Sequence, residues 1–292
     1  MGGCAVDPQT LQGHPFAEVS GGGATNHGVQ SPAMTLSAPT PRHPEPTPPH
    51  AVARLRATRL AASSKPFVAR GSGGGRCERC RLPSAHCACA WCPPCTDSVG
   101  VCLIMGDIEA IKPTNTGWLI ADAVRDTFAF GWARTSVDPD LIALLNDPQW
   151  QPVLVFPGEY AAPERVVSEP PPPTTGPAGA RRPLLVLLDG TWSEARKMFR
   201  KSPYLDRLPV LSLRPEVVSR YSLRRSHTGL HLCTAEVAAL CLALTGHPQQ
   251  AARLNDWLDV FTRHYLAARG NLPVNMESAA HRALAAPASV AV

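Results

Sequence analysis

Four apolar runs stand out between residues 99 and 213: "VGVCLIM" (99–105), "PVLVF" (152–156), "LLVLL" (184–188) and "PVLSL" (209–213), the last broken only by Ser212. Each has strand length and predicts a strand. "LLVLL" is continuous rather than alternating, as expected of a strand buried on both faces of a parallel sheet. Helical spacing fills the intervals. Beyond Pro113, Leu119, Ile120, Ala123 and Val124 form one stripe, with Thr114 or Thr116 as the cap. Thr191 and Glu194 form a capping box for a helix over 192–201. Trp192, Ala195 and Phe199 lie on one side of it, and Arg196, Lys197, Arg200 and Lys201 lie largely on another. A helix capped by Thr234 and stopped by Gly246 comes next. An amphipathic helix over 251–270 then carries Leu254, Trp257, Leu258, Phe261 and Tyr265 as a core stripe. Strands alternating with helices give an α/β fold with a mainly parallel sheet. Ligands bind such sheets at the carboxyl ends of strands. Asp189, Pro157-Gly158 and the loop after Met105 all occupy such ends and are expected to converge.

Composition narrows where this domain lies. The 292 residues are 44% hydrophobic, enough for a substantial core, but the 31 prolines and 22 glycines are unevenly spread. Residues 1–75 hold "SAPTPRHPEPTPPH" and "GSGGG" and are expected to be a disordered tail. "SEPPPPTTGPAGARRP" (168–183) reads as a flexible insertion, and 271–292 as a loosely ordered tail. A domain over 98–270 and a cysteine-rich module over 76–97 remain. The amino terminus has no secretory pattern, and "ARLRATRLAASS" lies too far in for a transit sequence. No apolar run approaches the ~18 residues of a membrane span. A cytoplasmic protein with no membrane association and no obligate protein partner is expected.

Six of the ten cysteines lie in "CERCRLPSAHCACAWCPPC". Cys77-x2-Cys80 and Cys87-x-Cys89 bring two close thiol pairs together, as a tetrahedral structural zinc site requires. Cys92, Cys95 and His86 are alternative ligands, and an iron–sulfur cluster is an alternative occupant. A disulfide cluster is disfavoured without a secretory signal. Cys102 and Cys241 read as small core residues.

The net charge is only +5, but residues 181–225 carry eleven Lys/Arg against four Asp/Glu. Such local clustering suits phosphate binding better than overall charge does. Within it, "LLVLLDGTW" ends a strand in an acid. A turn, a cap and a core indole would account for Gly190, Thr191 and Trp192. A phosphatase strand of D-x-D-G-T type is excluded, because Leu187 stands where the nucleophilic aspartate would be.

"LLVLLDGTWSEARKMFRKSPYL" resembles the signature of the DTW-domain family, the tRNA-uridine aminocarboxypropyltransferases. "CERCRLPSAHCAC", "KPTNTG", "FPGE", "SRYSLRR", "LCTAEVAALCLA" and the closing "F…YL…RG" resemble its other motifs in the same order, over roughly 76–270. The resemblance implies an α/β domain similar to the knotted SPOUT methyltransferases. It also implies transfer of the 3-amino-3-carboxypropyl group of S-adenosylmethionine to N3 of a uridine in tRNA, with release of methylthioadenosine. Uridine N3–H is a poor nucleophile while protonated, so Asp189 is expected to be the general base or to orient the uracil edge. Thr191 would cap its helix and bond substrate, and Trp192 would stack on a base or on the cofactor's adenine. Asn115, Thr116, Gly117, Pro157, Gly158, Leu223 and Thr234 are expected around the cofactor. Arg196, Lys197, Arg200, Arg220, Arg224 and Arg225 are expected on tRNA phosphates. A closed site at Cys77, Cys80, Cys87 and Cys89 would be structural.

Two departures stand out. Gly106-Asp107 replace the family's usual His-Pro ahead of Glu109, and Trp118 replaces the Arg that usually follows Asn-Thr-Gly. An indole there exchanges a phosphate contact for stacking or packing. A SPOUT-type RNA methyltransferase and a non-catalytic zinc-containing RNA-binding protein are the competing functions.

Overall fold

The computed structural model describes residues 48–64, 75–97, 99–172, 174–176, 179–213 and 232–286. In chain order these form α1 (Ala51–Ala61), β1 (Gly100–Met105), α2 (Gly117–Ala123), β2 (Thr127–Gly131), α3 (Pro139–Asn146), β3 (Trp150–Val155) and β4 (Val166–Val167). Then come β5 (Thr175–Gly176), β6 (Gly179–Ala180), β7 (Arg182–Asp189), α4 (Trp192–Lys201), β8 (Val210–Leu211), α5 (Thr234–Leu244), α6 (Pro248–Gly270) and α7 (Ala279–Ala285).

Six strands form one sheet in the order β2-β1-β7-β3-β8-β4. Every neighbouring pair is parallel. The continuous apolar runs explain its centre. Along β7, Leu185 and Leu187 face a core layer built with α2, α5 and α6, while Leu184 and Val186 face a second layer with α3 and α4. All four are at most 2% exposed, and each buried side chain of this size contributes about 2 kcal/mol. Register sets the functional edge: Met105 of β1 lies opposite Asp189 of β7, so both strands deliver their ends at the same level.

The expected α/β fold and parallel sheet are what the structure shows. It adds β2 and α3. β2 is an edge strand of small and aromatic residues, "TFAFG", only partly buried, so its apolar signal is weak. α3 begins at Pro139 behind Asp138, whose side chain accepts from Asp140 N, a start signal that sequence reading passed over. α2 starts at Gly117. The Thr116 hydroxyl makes no cap bond, and the Asn115 side chain takes that role, with Oδ1 accepting from Trp118 N at 3.0 Å. α5 is capped at Cys233, one residue before the expected Thr234.

Three of the expected boundaries need correction. Residues 1–75 are not disordered throughout, because α1 lies inside them. His50 Nδ1 caps it by accepting from Ala53 N at 3.1 Å, and Val52 is fully buried against the core. The 168–183 stretch contains an antiparallel pairing, Thr175 with Ala180, and its last two residues already belong to β7. The 271–292 tail contains α7, which docks on α6.

That docking runs through a buried histidine pair. His264 and His281 are at most 1% exposed, with their Nε2 atoms 3.1 Å apart. His264 Nδ1 donates to the His86 carbonyl, and Ser278 Oγ donates to His281 Nδ1. These partners fix the tautomers, so His281 Nε2–H donates to a bare His264 Nε2. A second proton would set two N–H groups against each other. Burial holds His264 down from 6.5 to about 4, and burial together with Arg263 lowers His281. A histidine kept neutral by the fold costs stability once the unfolded chain can bind its proton. Stability should therefore fall as pH drops from about 6.5 toward 4, by about 1.4 kcal/mol per pH unit from His264, with His281 adding a loss of the same sign. Thermal melts of wild type and His264→Gln check this. The wild type should lose more stability between pH 7.5 and 5 than the variant, and parallel losses would contradict it.

Candidate active site at the carboxyl edge of the sheet

Strand β7 ends at Asp189, whose side chain continues the face of Leu185 and Leu187, toward α2 and α5. It is 1% exposed. Asn115 Nδ2 donates to Oδ2 at 2.6 Å, and Thr234 Oγ1 donates to Oδ1 at 2.6 Å. The Asp189 carbonyl accepts from Gly106 N at 2.8 Å. One acid thus ties together the loop after β1, the turn before α2, the end of β7 and the start of α5. Thr116 adds a further link, its hydroxyl accepting from Ala235 N at 3.4 Å. Gly117 has to be a glycine: a Cβ there would stand 2.7 Å from Asp189 Oδ2 and 3.2 Å from Leu103. Any side chain would displace the carboxylate. Nearby, Glu109 is fully buried and paired with Lys112 Nζ at 2.5 Å.

The structure brings together Asn115, Thr116, Gly117, Asp189 and Thr234. Other expected members belong to a different neighbourhood. Trp192 packs on the opposite face of the sheet, stacked on Phe156 (5.5 Å) and edge-on to Tyr160 (5.8 Å). It belongs with the α3/α4 core layer, because the helix start turns it away from the face that Asp189 occupies. Pro157-Gly158 is drawn toward β8. Gly158 N donates to Ser212 Oγ at 2.9 Å, and a Cβ there would meet Val166 at 2.8 Å. The expected convergence thus holds for the loop after Met105, whereas the contacts of Pro157-Gly158 lie on the far side of β3. Thr191 forms the predicted capping box: Glu194 N donates to its hydroxyl at 3.3 Å, and Glu194 Oε2 accepts from Thr191 N at 2.8 Å. Leu223, Arg220, Arg224 and Arg225 lie outside the described residues.

On α4, Arg196, Lys197 and Arg200 are exposed. Two half-buried indoles flank them: Arg196 lies 5.8 Å from the Trp192 ring and Lys197 lies 5.6 Å from that of Trp132. Cations interleaved with aromatic faces suit a nucleic-acid backbone and its bases.

The cysteine module folds as a tight knuckle. Cys77 N donates to the Leu82 carbonyl and Arg81 N to the Cys77 carbonyl, both at 2.8 Å. Cys77, Cys80, Cys87 and Cys89 place their sulfurs within 4.8 Å of one another. The Cys77–Cys89 and Cys80–Cys87 sulfurs are 3.5 and 3.7 Å apart. Tetrahedral coordination with metal–sulfur bonds of about 2.3 Å needs sulfur–sulfur edges of about 3.8 Å, so this donor set fits a metal ion. The alternative ligands face elsewhere. His86 Nε2 donates to the Leu272 carbonyl, Cys92 lies by Arg79, and the exposed Cys95 approaches the Ala121 carbonyl. Sequence reading missed Arg81, which joins this knuckle to the Asn115 turn and leaves no signal of that contact in the chain.

Elemental analysis of the purified protein should find one tightly held metal per chain. Cys87→Ser should lose it, and Cys92→Ser should keep it. Equal retention by both variants would contradict the four-sulfur assignment.

The DTW domain family profile matches residues 74–266. Among curated proteins, the tRNA-uridine aminocarboxypropyltransferase 2 of Mus musculus is 29% identical over 230 residues, covering 73% of this chain and 73% of that protein. The protein of the same name from Drosophila melanogaster is 27% identical over 58% of this chain and 66% of its own length. That from Macaca fascicularis is 27% identical over 58% of this chain and 55% of its own. The chain therefore spans just under two thirds of the fly protein and little more than half of the macaque one. No solved structure matches it. The matched region takes in the cysteine knuckle, the Asn115 turn and the Asp189 edge alike, and the chain belongs to the DTW domain family.

Proposed function

We propose that the chain transfers the 3-amino-3-carboxypropyl group of S-adenosylmethionine to N3 of a uridine in tRNA. The observation that carries this reading is the Asp189 carboxylate, held at the strand end by donors on both oxygens. The relatives named as tRNA-uridine aminocarboxypropyltransferases point to the same chemistry. The donor, when bound, presents a carbon beside a sulfonium, which leaves as methylthioadenosine as N3 bonds to that carbon.

The chain must take the N3 proton. Asp189 is deeply buried, whereas Thr234, bonded to its Oδ1, is half-buried. The hydroxyl is the outer end of the pair. It accepts the N3 proton while its own proton passes to Asp189, and Asn115 holds the carboxylate in line from the other side. The Asn115–Gly117 turn and the start of α5 form the wall around this pair and are the cofactor-facing elements, with the turn at Pro157-Gly158 on the next strand. The exposed cations of α4 hold the tRNA backbone, and Arg220, Arg224 and Arg225 supply further phosphate contacts by their charge, while the target uridine leaves its stack. Thr191 serves the helix start, and Trp192 supports the surface from below. Zinc suits the four thiolates and would be structural, because all four positions are filled by protein.

Bulk tRNA incubated with donor labelled in the carboxyl carbon or in the methyl group tests this. Carboxyl label should enter tRNA. Asp189→Asn and Thr234→Val should lower transfer by about a hundredfold or more, and Thr234→Ser should retain most of it. Methyl label alone would establish methylation instead. Tight tRNA binding with neither label would leave only a binding protein.

A further inference from the structure

Arg81 combines two unfavourable features that a knuckle alone does not require. Its backbone has φ 65°, a left-handed conformation that costs a non-glycine residue about 1 kcal/mol or more. Its side chain is a cation only 3% exposed. Glycine at this position would avoid both costs. The guanidinium does something glycine could not. Nη1 donates to the Lys112 carbonyl at 3.2 Å, and Nη1 and Nη2 both reach the Asn115 carbonyl at 3.3 Å. Its central carbon lies 4.2 Å from the centroid of the Trp118 ring and 5.5 Å from that of Phe261. Arg76 Nη1 holds the Arg81 carbonyl at 2.8 Å from behind.

The carbonyls that Arg81 grips bound the turn closed by Asn115 N donating to Lys112. The side chain leaving that turn bonds Trp118 N through Oδ1 and Asp189 through Nδ2. We propose that Arg81 is a positioning residue for the reaction: the cysteine knuckle anchors its backbone, its guanidinium fixes the 112–115 turn, and Asn115 thereby sets the Asp189 carboxylate. The inference rests on the reading of Asp189 given above. It assigns the cysteine module a part in turnover without placing the metal near substrate. Lysine would not replace Arg81, since a compact ammonium lacks the second nitrogen that reaches the Asn115 carbonyl and the broad guanidinium that covers the Trp118 ring.

A double-mutant cycle tests it. Arg81→Lys should keep bound metal and affinity for tRNA, and lower kcat about tenfold or more with little change in KM, because small misplacements of a reacting group are costly. In an Asn115→Ala background the same substitution should cost little further. Amide exchange at Trp118 should quicken in Arg81→Lys while that of β7 stays unchanged. Arg81→Gln should show the same pattern and substitutes if the lysine variant does not fold. Unchanged kcat, additive losses, or loss of metal with global destabilisation would overturn the proposal in favour of a purely structural arginine. If wild type transfers no carboxyl label, the proposed function fails, whereas exchange at Trp118 still decides whether Arg81 holds the turn.

Discussion

An unmatched carboxylate as deeply buried as Asp189 would cost several kcal/mol. The hydrogen bonds from Asn115 Nδ2 and Thr234 Oγ1 are what allow β7 to end in an acid there. The rest of the edge follows from that requirement. Asn115 must come from a turn that also caps α2, so the helix and the acid share one side chain. Gly117 must carry no Cβ. Thr234 must begin α5 at a fixed height, and the cap one residue earlier at Cys233 sets it. The site is therefore assembled from segments more than a hundred residues apart, with Asp189 as the residue that most of them share.

The two places where this chain departs from its family's pattern are each met by a residue that precedes the matched region, His50 at Trp118 and Arg59 at Asp107. Trp118 is 3% exposed, with Arg81 on its face and His50 edge-on at 4.5 Å. The indole is thus a packing surface between the cysteine knuckle and the cap of α1. Burial, with Arg81 nearby, lowers the His50 pKa to about 3, so it packs there as a neutral ring. Asp107 is bonded by Arg59 of α1 through both its side chain and its carbonyl. The helix that composition assigned to a disordered tail is a brace for the loop after β1.

Much of the fold was legible in the chain. The central strands are continuous apolar runs because both faces are covered, and the α4 capping box is written in Thr191 and Glu194. Asp189 was conspicuous because packing does not call for an acid after five apolar residues. Other features depend on where the chain is brought by folding. Trp192 looked like a neighbour of Asp189 in sequence, yet alternation along β7 and the turn into α4 put them on opposite faces. Thr234 read as a cap, whereas its hydroxyl is spent on Asp189. Arg81 meets Asn115 across 34 residues of separation. α1 and α7 each bury only a few residues, too few for their periodicity to outweigh alanine-rich, arginine-bearing composition.

The central claim is that the Asp189–Thr234 pair removes the proton from uridine N3. Its most direct test changes the acidity of that proton rather than the protein. tRNA substituted with 5-fluorouridine carries a more acidic N3–H, so a missing base should matter less. Transfer by Asp189→Asn should recover substantially on the substituted tRNA, while wild type changes little. An equal deficit on both tRNAs would show that Asp189 organises the edge of the sheet without taking part in proton transfer.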